Sequence, residues 1–292
     1  MGGRNVRLHW RAGVSQAIAA FICVGWAVGT DPATAGEVLG PEGVTLSADA
    51  VALSTREVTA AFFAASSSGS RVTYSRRTLR DLDLSGIDFH QAVLTGSDLF
   101  GADLTGANLK GVDLSDGNLN RTTVIRADFS GANLRNATFM RPSVSSSLDY
   151  DGAEAPKFAG ADMRLIRMTS HMVGADFRGA NLTGALLGPH EPRADISSMP
   201  ASVLKSCDFS GATMVDIDLS RAVLMFSRFV GADLRGASLV LADMTRVDLS
   251  GADLTGADLT DANLDEANLA GVKGFETVRG RETIRNLDRA RR

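Results

Sequence analysis

From Leu94 to Leu109 the chain reads LTGSDLFGADLTGANL, with a large apolar residue at every fifth position. Asp or Asn stands one place before each recurrence and a small residue two places before it. The same phase returns from Leu249 to Leu269 as LSGADLTGADLTDANLDEANL. This period constrains the fold more than any other feature of the chain. Five steps along an α-helix leave successive Leu side chains about 140° apart, so no helical face forms. Five steps along a straight strand put successive Leu on opposite faces. One shared core therefore requires the chain to turn once per pentad, and four quarter turns close a coil of twenty residues.

The columns obey this geometry. Counting in fives from Leu79 to Val144 gives fourteen central positions, all apolar: nine Leu, three Phe and two Val. Leu204 to Leu269 gives fourteen more: ten Leu, two Phe and two Met. The expected core includes Leu84, Phe89, Leu94, Leu99, Leu104, Leu109, Leu114, Phe129 and Leu134 in the first run. In the second it includes Phe209, Leu219, Phe229, Leu234, Leu249, Leu254, Leu259 and Leu264. A small column (Ala92, Ser97, Ala102, Ala107, Ala127, Ala132, Ala137) lets large and small side chains share the interior at close packing. Gly often follows two places after a centre, where a turn tolerates it, and Asp or Asn before the centre suits an Asx turn. Including the middle of the chain, the centres suffice for about nine coils, each rising by about one strand spacing.

The recurring A-[DN]-L-x-x resembles the pentapeptide-repeat family over most of residues 74–275. The resemblance implies an all-β fold, a right-handed quadrilateral β-helix with the central Leu or Phe and the small residue inside. It implies little about function, because the family is functionally diverse.

Between the regular runs the phase shifts. SSSLDYDGAEAPK separates Val144 from Phe158, TSHMVG follows Met168, and GPHEPRADISSMPAS precedes Leu204. Stretches 145–157, 169–174 and 188–203 are expected to be insertions bulging from the wall. Phe158, Met163 and Met168, then Phe177, Leu182 and Leu187, continue as centres in new phases.

Both ends are expected to carry short helical caps, since a solenoid otherwise exposes core and strand edges. Residues 36–73 contain a capping box, Ser54 to Glu57, ahead of VTAAFFAAS, and Phe62 and Phe63 are expected to cover the first coil. The array is expected to stop at Gly274, leaving 276–292 as a basic, partly helical tail with Ile284 and Leu287 against the last coil.

The amino terminus reads as an export signal. Arg4, Arg7 and Arg11 precede an uncharged run, Ala12 to Thr30, and Ala33-Thr34-Ala35 fits a small-x-small cleavage site. This places residues 1–35 in a signal peptide cut after Ala35, and the protein in the periplasm or outside the cell. Retention as a membrane anchor is the alternative; otherwise membrane contact ends with cleavage. Removal leaves 27 basic and 33 acidic side chains, a net of −6. One thiol remains, Cys207, in the small column, and it has no internal disulfide partner.

No cofactor, metal or catalytic set is expected. His171, His190, Asp149, Asp151, Glu154, Glu191 and Asp195 fall in the irregular middle, but their spacing matches no ligand signature; His90 stands alone. An enzyme or metal site in 145–203 is the competing reading. Some pentapeptide-repeat proteins inhibit DNA gyrase by mimicking DNA with rows of carboxylates. Here Asp233 stacks under Asp253, and Asp88, Asn108 and Asp128 alternate charge with amide. Arg80, Arg121, Arg126, Arg135, Arg178 and Arg235 interrupt that field, and nucleic acid is not an expected partner. What remains is a non-catalytic structural or protein-interaction scaffold that binds a protein partner or a second copy of itself. The candidate surface is apolar: Val215, Met225, Phe226, Val230, Val240 and Leu241 occupy outward positions that elsewhere are polar or glycine. Its continuous part is expected around Phe226 and Leu241.

Overall fold

The structure, a computed structural model, describes residues 37–39, 45–47, 53–89, 92–146, 152–188 and 202–292. The signal segment and the Ala35 cleavage site lie outside these residues. So do His90, Asp149, Asp151, His190, Glu191 and Asp195, and nearly all of 188–203. Among the described residues, no helix is long and apolar enough to cross a membrane. The chain divides into two units, Met1–Val51 and Ala52–Arg292. In the first, β1 (Glu37–Leu39) pairs antiparallel with β2 (Thr45–Ser47).

The second unit is a β-solenoid. Parallel bridges join residues one coil apart, twenty residues in the regular parts, at four positions per coil. Side 1 runs Thr73, Val93, Asp113, Asn133, Asp162, Asn181, Thr213, Asp233, Asp253, Lys273. Side 2 begins at Thr78 and Asp98, side 3 at Asp83 and Asp103, and side 4 at Asp88 and Asn108. Each bridge uses two backbone bonds. Leu99 N–H donates to Asn118 C=O (2.8 Å), and Asn118 N–H donates to Ser97 C=O (2.9 Å). Side 1 therefore climbs ten levels, about 43 Å at strand spacing. Only a few stretches extend to three-residue strands: β3 (Thr138–Met140) with β4 (Arg167–Thr169), and β5 (His171–Val173) with β6 (Val203–Lys205).

The central column is buried throughout, including every core residue expected above. Phe158, Met163, Met168, Phe177, Leu182 and Leu187 are centres in the shifted phases, as expected. Side 4 holds a continuous aromatic stack. Phe129, Phe158, Phe177, Phe209 and Phe229 lie 4.7–5.1 Å apart, centroid to centroid, with planes within 13° of parallel. It crosses both levels where the chain departs from regular coiling. Cys207 is fully buried, which pushes its thiol up to about 12.

Three expectations change. The first concerns 169–174, which is not an insertion. The bridged positions Arg167 and His171 are four residues apart instead of five, and Met172 is a buried centre. The chain has lost a residue from one side, so its phase shifts without any loop.

The second concerns Phe63. Helix α1 (Thr55–Ser68) has the expected capping box between Ser54 and Glu57. Its inward stripe is Val58, Phe62 and Ala65. Phe62 packs 4.7 Å from Phe89 and 6.0 Å from Tyr74. Phe63 is one helical step off that stripe and is 76% exposed.

The third concerns the carboxyl-terminal segment. The array continues past Gly274 in steps of six: Lys273, Arg279, Arg285 and Arg291 bridge Asp253, Asp258, Asn263 and Asn268. Val278 is buried, and Val272, Ile284 and Ala290, also just before a bridged residue, pack partly buried on the core. The central Leu is replaced by Gly274, Gly280 and Asn286, all with positive φ. A Cβ on Gly274 would lie 2.6 Å from the Thr255 Cα, and one on Gly280 2.4 Å from the Thr260 Cα, so side chains are excluded at both. The sixth residue makes a single 3-10 turn on each side (Phe275–Thr277, Arg281–Thr283, Leu287–Arg289). At an ordinary corner the N–H reaches the next level's carbonyl, as Gly251 does to Ala270. Here the 3-10 turn displaces that carbonyl, and the Thr277 and Thr283 hydroxyls accept from the N–H groups of Gly256 and Asp261 instead (2.9 Å each).

Candidate functional site

The three irregular steps in the middle of the array all involve side 3. The first, Ser143 to Lys157, leaves side 3 for side 4. The shortened step enters side 3 at His171. The last, Leu186 to Val203, leaves side 2 for side 3. At the first, the Glu154 carboxylate accepts from Ser146 N–H (2.7 Å) and from the hydroxyls of Ser145 (2.9 Å) and Ser146 (2.7 Å). Those bonds tie the loop base shut and hold the Glu154 carboxyl below its usual range. Burial, with Lys205 nearby, lowers the His171 pKa. Among the described residues no group of three or more His, Cys, Asp or Glu could hold a metal ion.

The six apolar candidates do not form one patch. Val215 lies at the corner between sides 1 and 2, and Val230 between sides 4 and 1. Met225 and Phe226 lie between sides 3 and 4, and Val240 and Leu241 between sides 2 and 3. Only Phe226 (47%) and Leu241 (40%) are strongly exposed, and both edge side 3. Side 3 carries Asp243 at the level of Leu241, and at the level of Phe226 and the one below it two half-buried valines, Val223 and Val203. Sequence reasoning misses these two because each looks like an ordinary pentad residue. Counting the position before the centre would find them, since that position is more often polar. Arg246 lies 5.9 Å from the Phe226 ring and pairs with Glu266 at 2.7 Å. Leu165 and Leu186, both exposed, are missed as well; they belong to other parts of the wall.

The carboxylate rows are largely engaged within the wall. Asp162, Asp176 and Asp233 each bind the Arg two places on through paired Nε and Nη2 bonds. Asn donates to the Asp one coil below, as Asn108 to Asp88 (3.1 Å) and Asn133 to Asp113 (2.9 Å). Asp253 accepts from both the N–H and the hydroxyl of Thr255. Hydroxyl bonds hold the carboxyls of Asp83, Asp253 and Asp258 below their usual range, and the Arg164 bonds do so for Asp162. Depressed carboxyl pKa values add stability above the unfolded value of about 4 and lose it as pH falls through the folded values. Melting temperature is therefore expected to hold from pH 7 to 5 and drop by pH 3. An unchanged value at pH 3 would refute this linkage.

A four-position, twenty-residue coil with a Leu/Phe centre and Asx turns defines a class of β-solenoid protein. The chain carries pentapeptide repeats. Residues 78–111, 107–141, 202–239 and 242–273 match the family model for pentapeptide repeats, in eight copies. The unmatched stretch between 141 and 202 includes the levels where step length changes. Among solved structures, the chain is similar to HetL, a pentapeptide repeat protein involved in heterocyst differentiation regulation from the cyanobacterium Nostoc sp. strain PCC 7120. That match is 22% identical, covers 82% of this chain and 94% of that one, and has a TM-score of 0.39. QnrB1, a plasmid-mediated fluoroquinolone resistance protein, is 20% identical over 61% of this chain and 89% of its own, with a TM-score of 0.30. Rfr23 from the cyanobacterium Cyanothece 51142 is 24% identical over 41% and 90%, with a TM-score of 0.17. No curated protein matches.

Proposed function

We propose that this protein is an exported, non-catalytic scaffold that binds a protein partner or a second copy of itself. The carrying observation is the pair of exposed apolar side chains, Phe226 and Leu241, edging one side of a rigid wall whose other outward positions are mostly polar. Export is supported by the basic start, the apolar run and Ala33-Thr34-Ala35. In this reading the coil is right-handed and quadrilateral, α1 covers its first level through Phe62, and the six-residue coil closes the other end. Protein binding is favoured over DNA mimicry by the internal pairing of Asp162, Asp176 and Asp233 with arginines.

Phe226→Asp is the test. Phe226 is half exposed and has a positive φ that Asp accepts readily, so the change is expected to cost less than about 1 kcal/mol. Self-association or capture of a partner from the exported fraction should be lost while melting stays unchanged. A large loss of stability would place Phe226 under a covering segment, and no effect on either property would remove the surface from the account.

A further inference from the structure

The charge on side 3 is distributed unlike that of sides 1 and 4. At their outward positions side 1 carries Asp113, Asp162 and Asp233, and side 4 carries Asp128, Asp176 and Asp208 interspersed with Lys157 and Arg228. From Thr123 to Val223, side 3 carries Thr123, Ser143, His171, Val203 and Val223, with no carboxylate among them; Asp103 lies one level below this stretch and Asp243 one level above it, beside Leu241. Its corners over the same levels hold Arg121, Arg126, Arg141, Lys205 and Arg221.

Arg121 and Arg141 stand out among these. They occupy the same corner one coil apart, with φ of 58° and 53°, and Arg121 N–H donates to the carbonyl of Met140 (2.9 Å). Other charged corner residues stacked this way are complemented: Asn136 donates to Asp116, and Arg246 pairs with Glu266. Arg121 and Arg141 are like charges, both exposed, and make no ion pair among the described residues. Arg121 lies 5.7 Å from the ring of Phe100, which Arg80 covers at 4.3 Å. Their backbone positions are one strand spacing apart, and an anion within reach of both guanidinium groups would be attracted by each.

We propose that side 3 receives an extended acidic segment of a partner protein. Its carboxylates bridge Arg121 and Arg141, and its apolar side chains rest on Val203, Val223, Phe226 and Leu241. This rests on the scaffold reading and adds the partner's chemistry. Arginine suits the role because its planar fork takes a carboxylate in a bidentate pair. Arg121 and Arg141 lie four and three coil steps from Phe226, about 19 and 14 Å along the wall, which an extended chain of about six residues spans.

The experiment measures anisotropy of a fluorescein-labelled twelve-residue peptide, four Asp at one end and Leu and Phe at the other, against the purified protein. A control peptide carries Lys for Asp. Variants are Arg121→Asn with Arg141→Asn, since Asn accepts positive φ, and Phe226→Asp alone. The expected result is binding of the acidic peptide only, weakened at least tenfold in the arginine variant at unchanged melting temperature, with a shallower salt dependence. Three results overturn the proposal: no binding by the unaltered protein, equal binding of the Lys peptide, or unchanged affinity in the arginine variant. If the arginine change lowers melting, the lysine pair Arg121→Lys with Arg141→Lys replaces it. Retained charge with affinity lost at least threefold supports the bidentate contact, and unchanged affinity refutes it. Should Phe226→Asp still abolish self-association while the arginine variants bind normally, the acidic partner is wrong and the scaffold reading stands.

Discussion

Phe177→Ala is expected to destabilise the solenoid by about 3–5 kcal/mol, the range for removing a buried aromatic ring. Phe177 is fully buried and stacks on Phe158 at 4.9 Å and Phe209 at 4.7 Å. Its level lies between the two long departures from regular coiling, where the chain gives neighbouring coils fewer short connections. In a repeat array each coil touches only its neighbours, so a weak level in the middle separates the halves. Denaturant unfolding should therefore change from one transition to two, with the midpoint of at least one lowered. Phe177→Leu keeps most of the apolar volume and should cost about 1.5 kcal/mol or less. A loss below about 1 kcal/mol for the Ala variant would mean that the stack does not hold the middle together.

Leu254→Asp is expected to cost about 4 kcal/mol or more, because it buries a carboxylate with no partner. Leu254 is fully buried, and its N–H donates to the Lys273 carbonyl (2.9 Å) in the six-residue coil above. The damage should be local, since only one level lies above it. Limited trypsin digestion is expected to cut the variant at Arg279 and Arg285 under conditions where the unaltered chain resists. Equal resistance in the two proteins would show that this coil does not depend on the column below it.

The regular coils are legible in the sequence because a period of five admits one compact solution. The centres from Leu79 to Val144 and from Leu204 to Leu269 can be placed inside by counting. The aromatic stack is not legible, although all five Phe are recognisable as centres. Their separations are 29, 19, 32 and 20 residues, so neither a fixed period nor a column of twenty lines them up. The shortened side at His171 reads as an insertion for a related reason: a deletion and a loop shift the phase alike, and only pairing with Val203 distinguishes them. The terminal coil is hidden by its period of six. Its signal is present in Lys273-Gly274-Phe275-Glu276-Thr277-Val278 and Arg279-Gly280-Arg281-Glu282-Thr283-Ile284, where Gly stands in place of the central Leu. The apolar surface is half legible. The register shows that Phe226 and Leu241 point outward, but it cannot show that both edge the side where the irregular steps converge.

Amide hydrogen exchange read by mass spectrometry tests the central claim, that one unbroken solenoid runs from Thr73 to Arg291 through the irregular middle. Peptides within 157–187 and 274–291 should show protected amides, the first approaching those within 92–140, because their N–H groups bond to neighbouring coils. Exchange of 157–187 at the rate of an open loop would contradict the account.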